Sequence, residues 1–240
     1  MTPAKLIPGL LLLSALAMAS TPTADQILAG VDRTKNGWTS FTVDVTIDNF
    51  KHEKHVDQNA YQVLIKGTDH TLVKFVSPAD KGKSLLMLDD AMYLYMPSAS
   101  RAIRVTPLQR LSGNASNGDI AQTNLGANYS AALAGEDKVG GKETWILQLT
   151  AKRKQATYQA IKLWVDKSDL TPAVAEFRFT SGKPVKRVEY IDYDTIGGQK
   201  MVRRQVMYDL LRNEQRTVVE YRNYTQHELA DRLFNASSMR

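Results

Sequence analysis

Apolar and polar residues alternate with period two along most of this chain, and the alternation is longest over residues 142–224. Successive side chains of a strand point to opposite faces, so the pattern predicts half-buried strands. Trp145, Leu147 and Leu149 alternate with Ile146 and Gln148. Ile161, Leu163 and Val165 share one face of the next segment, and Ala173, Ala175, Phe177 and Phe179 one face of the third. Further segments span residues 185–193, 200–210 and 216–224. Between them stand turn formers: Lys167-Ser168-Asp169, Ser181-Gly182-Lys183-Pro184, Ile196-Gly197-Gly198-Gln199 and Arg212-Asn213-Glu214. Connections this short hold no crossover helix, so neighbouring strands are antiparallel and the segment is one long meander.

Upstream, Thr23-Ala24-Asp25-Gln26 has the spacing of a capping box. Ala24, Ile27, Leu28 and Val31 then form one stripe of a short helix, which Asn36-Gly37 stops. In residues 41–50, Val43, Val45 and Ile47 face one way and Thr42, Asp44, Thr46 and Asp48 the other. Residues 51–59 read as a polar turn. Residues 61–66 pair with 71–76, and 84–88 pair with 92–96 over Asp89-Asp90-Ala91; 102–105 is a further short strand. Between Thr106 and Ala134 the alternation vanishes. That stretch is long for a connection. It reads either as one or two helical turns folded over one side of the sheet, with another turn at 129–133, or as a surface excursion. Residues 227–234 form a short closing helix or an irregular end. About eleven strands is many for a flat open sheet. The expected fold is mainly β: a single strongly curved antiparallel sheet, an unclosed barrel, with a few short helices over its concave face.

Composition changes this picture little: 43% hydrophobic and 23% charged is ordinary globular content for one domain. The N-terminus changes it more. Lys5, an apolar run from Leu6 to Leu16, and Ala17-Met18-Ala19 have the arrangement of a secretory signal peptide. Residues 1–19 are expected to be cleaved after Ala19, leaving 20–240 as a single exported, periplasmic domain. With no cysteine, there is no disulfide, thiol nucleophile or thiolate metal site. The net charge of +6 comes from scattered lysines and arginines rather than a basic block.

Catalytic signatures are weak. His52-Glu53-Lys54-His55 lacks the spacing of a zinc motif, and Gly-x-Ser-x-Gly does not occur. Gly197-Gly198 and Asp89-Asp90 fit hairpin turns. The aromatic and basic residues of 186–204 read as the wet outer face of a strand pair. No enzyme, cofactor, metal or nucleic-acid partner is expected. The positive case is physical: a curved sheet with one apolar face binds acyl chains by removing apolar area from water, about 0.8 kcal/mol per methylene. Candidate cavity residues are Val43, Val45, Ile47, Leu86, Leu88, Met92, Leu94, Met96, Ile161, Leu163 and Val165; each is equally well placed to pack a core. Arg101 and Arg104, after Pro97, hold a loop or stand at the cavity mouth.

Several stretches resemble one family. Met92-Tyr93-Leu94-Tyr95-Met96-Pro97 with Arg101, Arg104 and Val105 is similar to its run of aromatic-Leu-aromatic-x-Pro and spaced arginines. Ser77-Pro78-Ala79-Asp80-Lys81-Gly82, Glu136 to Lys142, Leu163-Trp164-Val165-Asp166-Lys167 with Pro172, and Tyr193 to Gly197 fit the same pattern. The chain thus resembles the outer-membrane lipoprotein-sorting proteins, the LolA-like carriers, over residues 25–234. It departs from them at Gln122-Thr123-Asn124-Leu125, where many relatives carry an acid. The resemblance implies a monomeric half-barrel whose cavity takes up lipoprotein acyl chains or other lipids for transport to the outer membrane. Other relatives imply a second reading: a non-enzymatic sensor or accessory module for an inner-membrane export pump or signalling protein.

Overall fold

The computed structural model describes residues 21–212 and 215–239. The expected signal peptide, and Asn213 and Glu214 of one predicted turn, lie outside the described residues. Helix α1 (Ala24–Arg33) starts at the capping box: the Thr23 hydroxyl accepts from the Gln26 N–H, and Gln26 reaches back to the Thr23 N–H. Its buried stripe of Ile27, Leu28 and Val31 lies on the sheet.

The first meander comprises β1 (Ser40–Lys51), β2 (Lys54–Lys66), β3 (His70–Phe75), β4 (Ser84–Leu88), β5 (Ala91–Tyr95) and β6 (Ile103–Val105). A covering segment follows: β7 (Arg110–Ser112), β8 (Ala115–Ser116), α2 (Asn117–Ala121) and α3 (Leu125–Asn128). The second meander is β9 (Tyr129–Val139), β10 (Lys142–Ala151), β11 (Ala160–Asp166), β12 (Pro172–Arg178), β13 (Pro184–Ile196), β14 (Gln199–Asp209) and β15 (Gln215–Gln226). Antiparallel pairing of β1 with β15 joins the two meanders into one 13-stranded sheet. The sheet runs from β6 to β9 without closing into a barrel. Register shifts in β1, β10, β11, β12 and β13 mark bulges, and bulges bend strands.

Pairing register shows how the concave face is built. Val43, Val63, Val73, Leu85 and Leu94 form one continuous apolar rung across β1 to β5. Leu147, Leu163, Ala175, Val188 and Met207 form another across β10 to β14. A second cluster lies on the convex face, where Leu229, Phe234 and Met239 of the C-terminal tail cover Leu64, Leu72 and Leu86. The tail is tied down where the Leu229 N–H donates to Ser40 Oγ and Lys66 Nζ donates to the Leu229 carbonyl. A 3₁₀ turn at Asp231–Leu233 is its only regular element before Phe234.

The expected single antiparallel sheet, not closed into a barrel and accompanied by a few short helices, is present, with 13 strands among the described residues. Two expectations are corrected. Residues 51–59 are not a turn: β2 starts at Lys54, and the turn is His52 and Glu53, both at positive φ. This end of the β1–β2 hairpin projects into solvent, so neither face of β2 selects apolar residues there. Residues 129–133 are not a helical turn but the start of β9, an edge strand with most of its side chains exposed.

Candidate functional site

The concave face is roofed by the segment from β7 to α3. At one end the β7–β8 hairpin reaches over β1 and β15. Gly113, at its tip, has φ +52, and a Cβ there would stand 1.6 Å from Asn49 Oδ1, so only glycine lets the tip sit this close. The buried Asn49 side chain donates to Ser112 Oγ and accepts from Thr217 Oγ1, both at 2.8 Å.

Beyond the hairpin, α2 is tethered by polar contacts over an apolar floor. Ser116 caps it, and the capping partner Asp119 has a second role. The Asp119 carboxylate takes a salt bridge from Lys186 and hydrogen bonds from the Tyr158 hydroxyl at 3.2 Å. Lys186 stands on the concave face, in register with Phe177, Ile161 and Leu149 across β12, β11 and β10. Both partners are nearly sealed off, with 10% and 5% of their side chains exposed. Burial alone raises the Asp119 carboxyl; Lys186 and Ser116 outweigh it and hold the group below its ordinary value. Burial, reinforced by Asp119, pushes the Tyr158 hydroxyl well up.

The rest of the roof is hooked to α1 and the sheet. The Asp32 carboxylate receives the Leu125 N–H at 2.7 Å and the Gly126 N–H at 2.8 Å. Thr123 Oγ1 meets Asn36 Oδ1 at 2.7 Å, Thr157 Oγ1 donates to Gln122 Oε1, and Thr71 Oγ1 donates to the Ala121 carbonyl. Burial pushes Asp32 up from 3.8 to about 6, against the opposing pull of the two N–H groups and of Lys35 and Lys152. Gly118 lies so close to Thr157 that a Cβ would fall 1.8 Å from Oγ1.

Little space remains beneath this roof. One cavity of about 40 Å³ lies among Lys35, Asp119, Tyr158, Phe177, Tyr190 and Gln205. A second, of about 10 Å³, lies among Lys35, Val43, Val45, Ile120 and Tyr221. A wider pocket of about 250 Å³ opens at the outer side of the Asp119–Lys186–Tyr158 cluster, lined by Leu108, Arg110, Phe179, Val185 and Leu211. Leu108, Phe179 and Leu211 expose 48%, 37% and 58% of their surface there, an apolar rim at the end of the trough. The cluster thus stands between an outer mouth and an inner chamber, since Tyr158 lines both.

Val43, Val45, Ile47, Met92, Ile161, Leu163 and Val165 are all buried in the concave cluster, and Leu94 packs against it. Leu86 and Leu88 do not belong there: they face the convex side, Leu86 beneath the C-terminal tail and Leu88 packed against that cluster. Leu85 and Met87 take the concave positions. Met96 lies past the end of β5 and joins neither cluster. Arg104 is exposed opposite Tyr93, on the convex side and away from the trough, and Arg101 is exposed in the preceding turn. Lys186 was expected on the wet face and points inward instead. Its position was legible: it shares parity with Val188 and Tyr190, inward positions of the same strand. Asp119, 67 residues away in a stretch without periodicity, gave no signal.

Comparison with known proteins fits this geometry. A crystal structure of a LolA superfamily protein from Nitrosomonas europaea is 32% identical, over 90% of this chain and 98% of that one, with a TM-score of 0.84. The chain belongs to the LolA superfamily. Two further crystal structures share the LolA-like fold. A DUF1329 family protein from Desulfovibrio piger is 22% identical, with a TM-score of 0.78 over 90% of this chain and 98% of that one. A putative outer membrane lipoprotein-sorting protein domain from Vibrio parahaemolyticus is 16% identical, with a TM-score of 0.75 over 90% and 97%. A family model described as an uncharacterized protein matches residues 67–240. No curated protein matches the chain. Within the LolA-like sheet, the segment from β7 to α3 is a roof held over the concave face.

Proposed function

We propose that this LolA-like protein is a periplasmic, non-enzymatic carrier that takes acyl chains of lipoproteins or other lipids beneath the β7–α3 segment, which acts as a lid. The observation that carries this reading is the contrast between floor and fastenings. The floor is a continuous apolar surface across most of the sheet. Besides the buried Ala115, Ile120 and Ala121, the lid is fixed to it by side-chain hydrogen bonds and one ion pair, which can be released and remade.

The energies are compatible with exchange. A ligand pocket for a small lipid needs about 300–1,000 Å³, far more than the 40 and 10 Å³ in the two inner cavities, so burial of a chain on the apolar floor beneath α2 requires the lid to rise. Each fastening hydrogen bond is worth about 0.5–1.5 kcal/mol net, so releasing the five around Asp32, Thr123, Gln122 and Thr71 costs about 5 kcal/mol, and parting Asp119 from Lys186 and exposing Ile120 add to that cost. A chain of about 14 methylenes returns on the order of 11 kcal/mol on burial. The exposed rim of Leu108, Phe179 and Leu211 offers a first apolar contact.

The test is lipid extraction and mass spectrometry on protein purified gently from the periplasm, with Leu94→Glu beside the wild type. Lipid or acylated peptide should accompany the wild type near stoichiometrically, and the variant should lose it while keeping its β circular dichroism. Wild-type protein that carries no lipid and takes up no fluorescent fatty acid would count against the carrier.

A further inference from the structure

The concave face carries one charge that its neighbours leave unmatched. Lys35, just past α1, lines both inner cavities, and its ammonium stands 5.7 Å from the centre of the Tyr190 ring. Among the described residues that ammonium has neither a hydrogen bond nor an ion pair. Burial lowers the pKa of this amine; the charges of Asp119 and Asp32 oppose that shift, yet both carboxylates are engaged elsewhere. Asp119 is held by Lys186, Tyr158 and Ser116, and Asp32 by the N–H groups of Leu125 and Gly126.

Beside it is a second incomplete group. Gln205 is 1% exposed and lines the larger inner cavity. Its Nε2 donates to the Tyr221 hydroxyl at 3.0 Å, and its Oε1 is buried with no hydrogen-bond partner. A half-turn of the amide lets Tyr221 donate to Oε1 and presents the NH₂ as a donor instead. The remaining wall includes Ile161, Phe177, Val188 and Met207.

An unmatched ammonium and a buried amide, set in an apolar wall, are complementary to a carboxylate on a hydrocarbon chain. A charge-assisted hydrogen bond gains strength where water is excluded. Ester- and amide-linked acyl chains bring no such charge. We propose that Lys35, with Gln205, forms a carboxylate-binding subsite beneath the lid, and that the cargo class is the free fatty acid. This inference rests on the carrier reading above.

The test compares a fluorescent 16-carbon fatty acid with its methyl ester, each titrated into the purified protein. The acid should bind the wild type about tenfold tighter or more. Lys35→Met should lose the preference and bind acid and ester alike. Equal affinity of the wild type for acid and ester overturns the subsite while leaving the carrier reading in place, and that comparison needs no variant to fold. Failure of both ligands to bind removes the carrier reading and the subsite together.

Discussion

At the scale of single residues, the Asp119–Lys186 pair is the most consequential feature beneath the lid. A buried ion pair adds little net stability, but breaking it leaves one charge stranded. Asp119→Ala should therefore cost about 3–5 kcal/mol in urea unfolding. The double replacement Asp119→Leu with Lys186→Met should recover most of that loss. A loss below about 1 kcal/mol for the single variant would mean that Lys186 finds water or another partner, contrary to the enclosed geometry. Residue scale is also where sequence reading was least secure. Leu85, Leu86, Met87 and Leu88 form an unbroken apolar run because β4 is covered on both faces, by the concave core and by the C-terminal tail. With no polar partner to set the parity, the alternation does not specify that Leu86 and Leu88 face the convex side. Where one face is wet, as in Val43, Val45 and Ile47 against Asp44, Thr46 and Asp48, the parity was legible.

At the scale of elements, α1 and α3 are coupled through one carboxylate. Asp32 on α1 closes the first turn of α3, and its pKa lies near 6 because burial raises it from 3.8. The folded protein thus holds this proton more tightly than the unfolded chain does. The stability this group contributes is full below about pH 4 and is lost as pH rises through about 6. Lowered carboxyls such as Asp119 and Asp166 act in the opposite sense, so the difference between wild type and Asp32→Asn isolates the latch. Between pH 4 and pH 7, the urea midpoint of the wild type should fall relative to that of the variant; a constant difference would contradict the raised value. Element boundaries were legible wherever a face was buried. Helix α1 starts at its predicted capping box, and the six strands from β10 to β15 stand where alternation placed them. The outer half of β2 and the edge strand β9 escaped because most of their side chains meet water on both faces.

At the scale of the whole molecule, the sheet and its lid divide the work. The sheet is a rigid, hydrogen-bonded floor, and its two meanders, joined through β1 and β15, give a trough longer than either alone. The lid is short and irregular, and beside the buried Ala115, Ile120 and Ala121 it is fastened by polar side chains, as expected of a part that opens more readily than the floor. The absence of periodicity over residues 106–128, which hid α2, Asp119 and the hairpin from the sequence, has the same origin.

Lid movement is tested most directly by locking it. The chain contains no cysteine, so a cross-link between Asn36→Cys and Thr123→Cys, whose native side chains meet at 2.7 Å, stands alone. Fluorescent fatty-acid uptake is measured with this doubly substituted protein reduced and oxidised. The account predicts uptake by the reduced form comparable to the wild type, and loss of at least about nine-tenths of it on oxidation, consistent with a tenfold fall in affinity. Equal uptake by both forms would show that cargo binds without the lid rising, and would contradict the account.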